Sequence, residues 1–406
     1  MIELQRTRYL SQIEPFIHDG GMIKVLTGMR RCGKSTILRQ IMISLQNEPG
    51  TSVAYLELDD DVYSNISTPD QLREAIEECF KDNDSKRYLF IDEIQNVESF
   101  EKVVEAYRMK DVSVFITGSN SYLLSDEIST KLTGRYIEFR IMPFSFSEVE
   151  EYRKLNGVPI NAMSDFNDYL IYGGLPKRFD YPSAAAQERY VFAVLSEIKK
   201  KDIMARSGIK NKALLDDLVS FVASIPSQEI SNDSITEFLQ KNGLKVKRDT
   251  VKKYLDLIFS SNIASKCRRY DVVGKKTLNT VYKSYLTDLA LHTFISGKKD
   301  RLDFGMLIEN MVYNELISRG YIVTVGKKGG KEIDFVVTDG MRKAYIQAVY
   351  LMPTKDVVDR EEGPLLAMKD GFPKYIVSMD PITVSDNGII RLNLVEDFLL
   401  GDGFKL

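Results

Sequence analysis

At 406 residues the chain is too long for one hydrophobic core and predicts two to four domains. Its 55 Lys and Arg against 58 Asp and Glu leave a formal charge of −3, which excludes a general polyanion binder. Any nucleic-acid site must be a local patch.

No apolar run approaches the length of a membrane helix, and Met1–Ile17 lacks a signal-peptide core. A cytoplasmic location away from membranes is the expectation. Cys32, Cys79 and Cys267 are far apart and odd in number, as in a reducing compartment. With His18 and His292 the only imidazoles, the composition argues against a Cys/His zinc site.

Over the first 150 residues short apolar runs alternate with amphipathic stretches, the pattern of a parallel sheet covered by helices. Strands are expected at Ile23–Thr27, Ser52–Glu57, Tyr88–Ile91, Ser113–Thr117 and Arg135–Ile141. Beyond Pro143 the spacing turns helical, through Phe166–Ile171 and Tyr190–Ile198. Helices Ile235–Gln240 and Asp249–Phe259 follow polar starts. Strands Ala264–Tyr270 and Thr277–Tyr285 come next, joined by a turn at Val273–Lys276. Ser296–Arg301 reads as a linker and Phe304–Ser318 as a helix. Strands around Tyr321–Val325, Glu332–Val337, Ala344–Tyr350 and Lys374–Ser378 follow.

Gly28-Met29-Arg30-Arg31-Cys32-Gly33-Lys34-Ser35 matches G-x-x-x-x-G-K-[ST] at each fixed position, between an apolar strand and a helix running on from Thr36. Glycines let such a loop turn its backbone N–H groups around a β-phosphate, and the helix N-terminus adds partial positive charge. Lys34 is expected on the β- and γ-phosphates and the Ser35 hydroxyl on Mg²⁺. The loop therefore predicts ATP with Mg²⁺, and hydrolysis of that ATP.

Tyr88-Leu-Phe-Ile-Asp92-Glu93 ends an apolar strand on two carboxylates at the C-terminal edge of the sheet. Asp92 suits the Mg²⁺ shell, and Glu93 suits polarising the attacking water. After the next strand, Ser119 and Asn120 are candidates for sensing the γ-phosphate, with Asn120 favoured. Arg135 is either an arginine finger, in cis or from a neighbouring subunit, or a structural salt bridge. Arg30 and Arg31 divide in the same way between phosphate and scaffold.

Together with Ile91-Asp-Glu-Ile-Gln95, Thr117-Gly-Ser-Asn-Ser121, Gly134-Arg135 and Pro143-Phe-Ser-Phe-Ser-Glu148, the loop resembles the AAA-superfamily ATPases of bacteria and archaea. The closer likeness is to the branch whose C-terminal domain was long of unknown function. It extends to Tyr172-Gly-Gly-Leu-Pro176, Lys201-Asp202, Glu332-Ile-Asp334-Phe and Tyr345-Ile-Gln347, and so spans nearly the whole chain. The resemblance implies an α/β fold with a P-loop NTPase core of AAA type at 1–150. It further implies a helical lid at 151–211, a winged helix at 212–295 and a restriction-endonuclease-like α/β domain at 296–406. Gly174-Leu-Pro176 resembles an element that related signalling ATPases hold near the adenine. Proline also suits a first helical turn, so a purely structural turn is the other reading of Pro176.

Residues 241–300 hold 14 Lys and Arg against 5 Asp and Glu, a local surplus of nine positive charges. On a helix–helix–hairpin pattern this suits a winged helix that meets DNA. Lys252 and Lys253, with Lys245, Lys247 and Arg248 just before them, would face a groove or the phosphates. Arg268, Arg269, Lys275 and Lys276 would lie on or beside the wing. A protein-contacting face and an inert packing module compete with this reading.

Restriction-type nucleases gather an Asp, a Glu or Asp, and a Lys two residues later on adjacent strands, often with a Glu from the preceding helix. Glu309, Asp334 and Gln347 fill three of these places. The amide of Gln347 is a weaker ligand than a carboxylate. Val349 stands where the lysine belongs, with Lys343 or Lys331 as substitutes. The domain reads as a degenerate nuclease that holds duplex or branched DNA, or a protein. Two functional classes follow: an ATP-driven DNA-associated protein, and a signalling-type ATPase switch with a protein partner. An ATP-dependent nuclease is the remaining alternative.

Overall fold

The computed structural model describes residues 2–80, 85–118, 132–205, 209, 211–271, 276–295, 303–328, 330–381 and 385–406. The candidate sensors Ser119 and Asn120, Lys275 (expected on or beside a wing) and the segment 296–301 lie outside the described residues. The chain divides into two compact units, Glu3–Met142 and Pro143–Leu406, the second including the first two residues.

In the first unit β1 (Ile23–Thr27), β2 (Thr51–Glu57), β3 (Lys86–Asp92), β4 (Ser113–Thr117) and β5 (Tyr136–Arg140) form one parallel sheet in the order β2-β3-β4-β1-β5. β1 and β4 are buried along their whole length, as central strands covered on both faces must be. β2 alternates half-buried and buried residues, as its edge position allows. Successive residues serve opposite faces. Leu26, Phe90 and Phe115 meet Ile37, Leu38 and Ile41 of the helix Lys34–Gln46. Val25, Ile91 and Ile116 meet the helices Pro69–Cys79 and Glu101–Arg108 through Leu72, Ile76, Val103 and Val104. A Thr68–Gln71 capping box starts the first of those two helices.

The second unit begins with the helices Phe146–Leu155, Ala162–Tyr172 and Ala184–Glu197. The helices Lys212–Ser224, Asn232–Lys241 and Arg248–Ser260 follow. Its strands are β6 (Glu229–Ile230), β7 (Ala264–Asp271), β8 (Lys276–Leu286), β9 (Ile322–Lys328), β10 (Lys331–Thr338), β11 (Lys343–Ala348), β12 (Lys374–Ser378) and β13 (Ile390–Asn393). They make a single sheet in the order β13-β12-β11-β10-β9-β7-β8-β6. The β7–β8 hairpin is thus joined to the C-terminal strands, through parallel pairing of Arg269–Asp271 with Val325–Lys327.

The helix Phe304–Ser318 packs Leu307, Ile308, Met311, Val312 and Leu316 against this sheet. The same core takes in Phe146, Phe166 and Leu170 from the helical segment and Cys267 and Tyr285 from the hairpin. Segments that read in sequence as separate modules therefore share one interior. The helix Lys355–Leu366 and strands β6 and β13 had no distinct sequence signal; the two strands are only two and four residues long.

Candidate functional site

β1 delivers the chain into the glycine-rich loop at the C-terminal edge of the first sheet. Gly28 has φ 145°, and a Cβ there would lie 2.2 Å from the Ile141 carbonyl oxygen, so no larger residue fits. Met29 and Cys32 are fully buried, so these two offer a nucleotide their backbone and not their side chains. Arg31 adopts a left-handed φ of 68° and is exposed. Lys34 Nζ donates to the carbonyl oxygens of Gly28 and Met29 at 3.2 and 3.3 Å, which puts its charge on the loop. Ser35 and Thr36 occupy the first turn of the helix Lys34–Gln46, where free N–H groups attract anions.

Arg6 holds this loop from behind and has no motif to announce it. Its buried guanidinium donates to the carbonyl oxygens of Cys32 and Met142, both at 3.0 Å, and lies 4.7 Å over the Tyr9 ring. Tyr9 Oη accepts the Met142 N–H at 3.0 Å.

In the sheet β4 separates β1 from β3, so the end of β4 stands between the loop and the acidic pair. Thr117 Oγ1 donates to Asp92 Oδ1 and accepts the Glu93 N–H. Asp92 is 1% exposed. Glu93 sits at φ 56°, ψ 45°, a conformation uncommon outside glycine and frequent at functional positions. Its carboxylate accepts from Gln95 Nε2 and lies 3.9 Å from Arg30 Nη2, while Arg30 Nη1 lies 3.8 Å from Asp59. Arg30 thus reaches the scaffold and the acidic pair together.

Arg135 precedes β5 at the N-terminal edge of the sheet, where Tyr136 pairs with Ile23. The loop leaves the opposite edge, one five-residue strand or about 17 Å away. Arg135 pairs instead with Glu105 at 3.0 Å. The cis arginine-finger expectation is corrected on this geometry, and the structural salt bridge is what the fold contains.

Pro176 belongs to the second unit, where it opens the short turn Pro176–Asp180. The glycines before it are set by packing within that unit. The Asp288 carboxylate lies where a Gly173 Cβ would project, at 1.8 Å, and accepts the Gly174 N–H at 2.9 Å. Burial raises the Asp288 carboxyl above its ordinary range.

Glu309, Asp334 and Gln347 come together, as their pattern predicts. The Asp334 N–H donates to Gln347 Oε1 at 2.8 Å, and the Ala348 N–H donates to Asp334 Oδ2 at 2.9 Å. The expected substitute Lys343 is corrected. Lys343 Nζ lies over the Tyr270 and Phe372 rings, and Lys331 is exposed. The lysine of this cluster is Lys283 of β8, 2.8 Å from Glu309, 2.8 Å from Glu332 and 3.8 Å from Asp334. Tyr285, two residues on and so on the same strand face, donates to Glu309 at 2.6 Å. Burial works against the Lys283 charge, yet Glu309, Asp334 and Glu332 outweigh it and hold the ammonium above the usual lysine range. Burial, with the charge of Glu309, pushes Asp334 well above the ordinary carboxylate range.

On the helix Arg248–Ser260 the residues Val251, Tyr254, Leu255 and Ile258 are buried, which leaves Lys252 and Lys253 exposed. Lys245, Lys247 and Arg268 are exposed as well. Asp249 and Asp256 share that helix surface and line a shallow cleft of about 490 Å³ with the two lysines. Arg248 pairs with Asp233 at 2.6 Å. Arg269 pairs with Glu229 and lies 3.9 Å from Glu332, tied into the sheet.

The profile of a family described as an AAA domain matches residues 21–150. That of a family described as a domain of unknown function matches residues 163–302. An uncharacterised protein of Haemophilus influenzae is 32% identical over 402 residues, 98% of each chain. One of Methanocaldococcus jannaschii is 26% identical over 92% of this chain and 84% of its own. Among solved structures, the Walker-type ATPase of Pyrococcus abyssi aligns at a TM-score of 0.51 and 15% identity, over 72% of this chain and 96% of that one. This last likeness is one of fold.

Proposed function

We propose, from the premise that this chain belongs to the family of the Haemophilus influenzae protein and with it to the AAA superfamily of ATP-binding proteins, that it hydrolyses ATP in association with DNA. The observation that carries hydrolysis is the acidic pair Asp92–Glu93, tied to Thr117 at the sheet edge from which the loop emerges.

In this reading the loop backbone from Gly28 to Gly33, with Lys34 and Thr36, binds the triphosphate. Ser35 and Asp92 would hold Mg²⁺; a hydroxyl and a buried carboxylate are the hard oxygen donors that ion takes. When bound, the metal neutralises charge on the phosphate oxygens. Glu93 orients and deprotonates the attacking water, with its carboxylate held by Gln95 and Arg30. Asn120 is assigned the γ-phosphate contact, and Arg135 a role only toward a neighbouring copy.

The DNA half of the proposal rests on the exposed cations Lys245, Lys247, Lys252, Lys253 and Arg268 around the helix Arg248–Ser260. We read 212–295 as a winged helix, 151–211 as a lid, and 296–406 as a nuclease-like module that grips and does not cut.

The deciding experiment measures ATP turnover by wild type, Glu93→Gln and Lys34→Ala, with and without single-stranded, duplex and branched DNA. Turnover is expected in wild type alone, with ATP binding kept in Glu93→Gln and lost in Lys34→Ala, and with duplex or branched DNA stimulating it. Turnover that survives Lys34→Ala removes the hydrolytic reading. Indifference to every DNA, with a protein co-purifying, replaces DNA by a protein partner.

A further inference from the structure

The nuclease-like resemblance carries an expectation of Mg²⁺ among Glu309, Asp334 and Gln347, and the residues present do not fit that ion. A divalent metal needs several oxygen atoms free to turn their lone pairs toward one point. Here one oxygen of each group already faces a protein donor. Glu309 Oε1 accepts from both Lys283 and Tyr285, and Glu332 Oε1 lies 2.8 Å from the same ammonium. Asp334 Oδ2 accepts from the Ala348 N–H. Gln347 Oε1, the one neutral oxygen of the set, accepts from the Asp334 N–H, and its amide nitrogen donates to Glu361 at 3.1 Å.

One ammonium stands within 4 Å of three carboxylates, which is the relation a bound cation would have to them. Its side chain is 8% exposed, and those of Glu309 and Asp334 are 13% and 14% exposed. Carboxylates so far from water need a positive partner or a proton. A lysine tethered to a strand of the same sheet supplies that partner without recruiting an ion from solution.

We propose that Lys283 occupies the cation position of this cluster, so that the nuclease-like centre is closed to divalent metal. The lysine comes from β8, whereas the carboxylates come from the helix Phe304–Ser318 and from β10. The ammonium therefore also fastens the hairpin to the C-terminal module. This inference is independent of the nucleotide site and holds whether or not ATP is hydrolysed.

The test counts Mn²⁺ bound to the full-length, nucleotide-free protein by loss of the free-ion EPR signal. Metal uptake elsewhere is common to all variants and drops out of each comparison. Wild type and Asp334→Asn are expected to take up the same amount. Lys283→Met, which removes the charge and keeps much of the volume, is expected to gain one Mn²⁺ per chain and a higher Tm with Mn²⁺. Lys283→Met/Asp334→Asn is expected to lose that gain.

Uptake by wild type that Asp334→Asn abolishes would overturn the proposal. So would a folded Lys283→Met protein that gains no metal. If Lys283→Met does not fold, wild type against Asp334→Asn decides alone, equal uptake supporting the proposal and unequal uptake overturning it. Mn²⁺-dependent DNA cleavage that disappears in Asp334→Asn would overturn it as well.

Discussion

Thr117 is hydrogen-bonded to Asp92 from the end of the neighbouring strand, its hydroxyl donating to Oδ1 while its oxygen accepts the N–H of Glu93 at 3.1 Å. One side chain thus orients the carboxylate assigned to the metal and the backbone of the carboxylate assigned to the water. Groups that orient ligands in this way typically cost 10–100-fold in metal affinity or activity when removed. Thr117→Val should therefore lower kcat for ATP by roughly 10–100-fold and change nucleotide affinity only a few-fold. Thr117→Ser, which keeps the hydroxyl, should restore most of the rate. Equal kcat values for wild type and Thr117→Val would end this assignment.

Arg6 predicts a loss of both stability and nucleotide affinity. Its guanidinium satisfies two buried carbonyl groups, one inside the phosphate loop. Leaving such acceptors unpaired costs roughly 1–3 kcal/mol each. Arg6→Met should lower the urea midpoint and weaken binding of a fluorescent ATP analogue. Arg6→Lys should recover little, because an ammonium lacks the planar fork that spans both carbonyls. Full recovery by lysine would mean that the charge, and not the geometry, matters.

Lys24 gives a pH signature. It is buried at the start of β1, with Nζ donating to the carbonyl oxygens of Asp19 and Met22 and to Ser113 Oγ, at 2.6, 2.9 and 2.8 Å. Burial pushes its pKa down to about 7, against the opposing pull of Asp19. Between that value and the ordinary lysine value the unfolded chain binds more protons than the folded one. Stability should therefore rise with pH across this window, by up to about 1.4 kcal/mol per unit, with the full cost present below it. The unfolding free energy of wild type minus that of Lys24→Met should climb from about pH 7 to about 10.5, other titrations cancelling. A flat difference would show that the three acceptors hold the ammonium at its usual value.

The basic helix predicts salt-dependent DNA binding. Replacing Lys247, Arg248, Lys252 and Lys253 by alanine should abolish affinity, and in wild type log Kd should rise steeply with log salt. Because Arg248 is paired with Asp233 and Arg269 with Glu229, single changes there should matter less than Lys252→Ala. Arg268→Ala, at an exposed position of β7, should cost more than Arg269→Ala in DNA affinity. Unchanged affinity in the fourfold variant would remove this surface from consideration.

Some of this protein is written in short stretches of chain. The loop Gly28–Ser35, the pair Asp92–Glu93 and the helix Phe304–Ser318 were legible because local spacing, burial and backbone geometry are set within a few neighbouring residues. Strand order could not be read that way, nor could the fusion of the β7–β8 hairpin to the C-terminal sheet, since pairing between distant segments leaves no local periodicity.

The supporting residues follow the same division. Amino-acid order alone determined the glycines, lysine and carboxylates that suit a nucleotide, and it aligned Glu309, Asp334 and Gln347 as a set. Only the tertiary structure decided that Arg6 braces the loop, that Thr117 links the acidic pair, and that Lys283 lies among the carboxylates. Each acts on partners some 25 residues away or more, and a contact across that distance exists only after the sheets have closed.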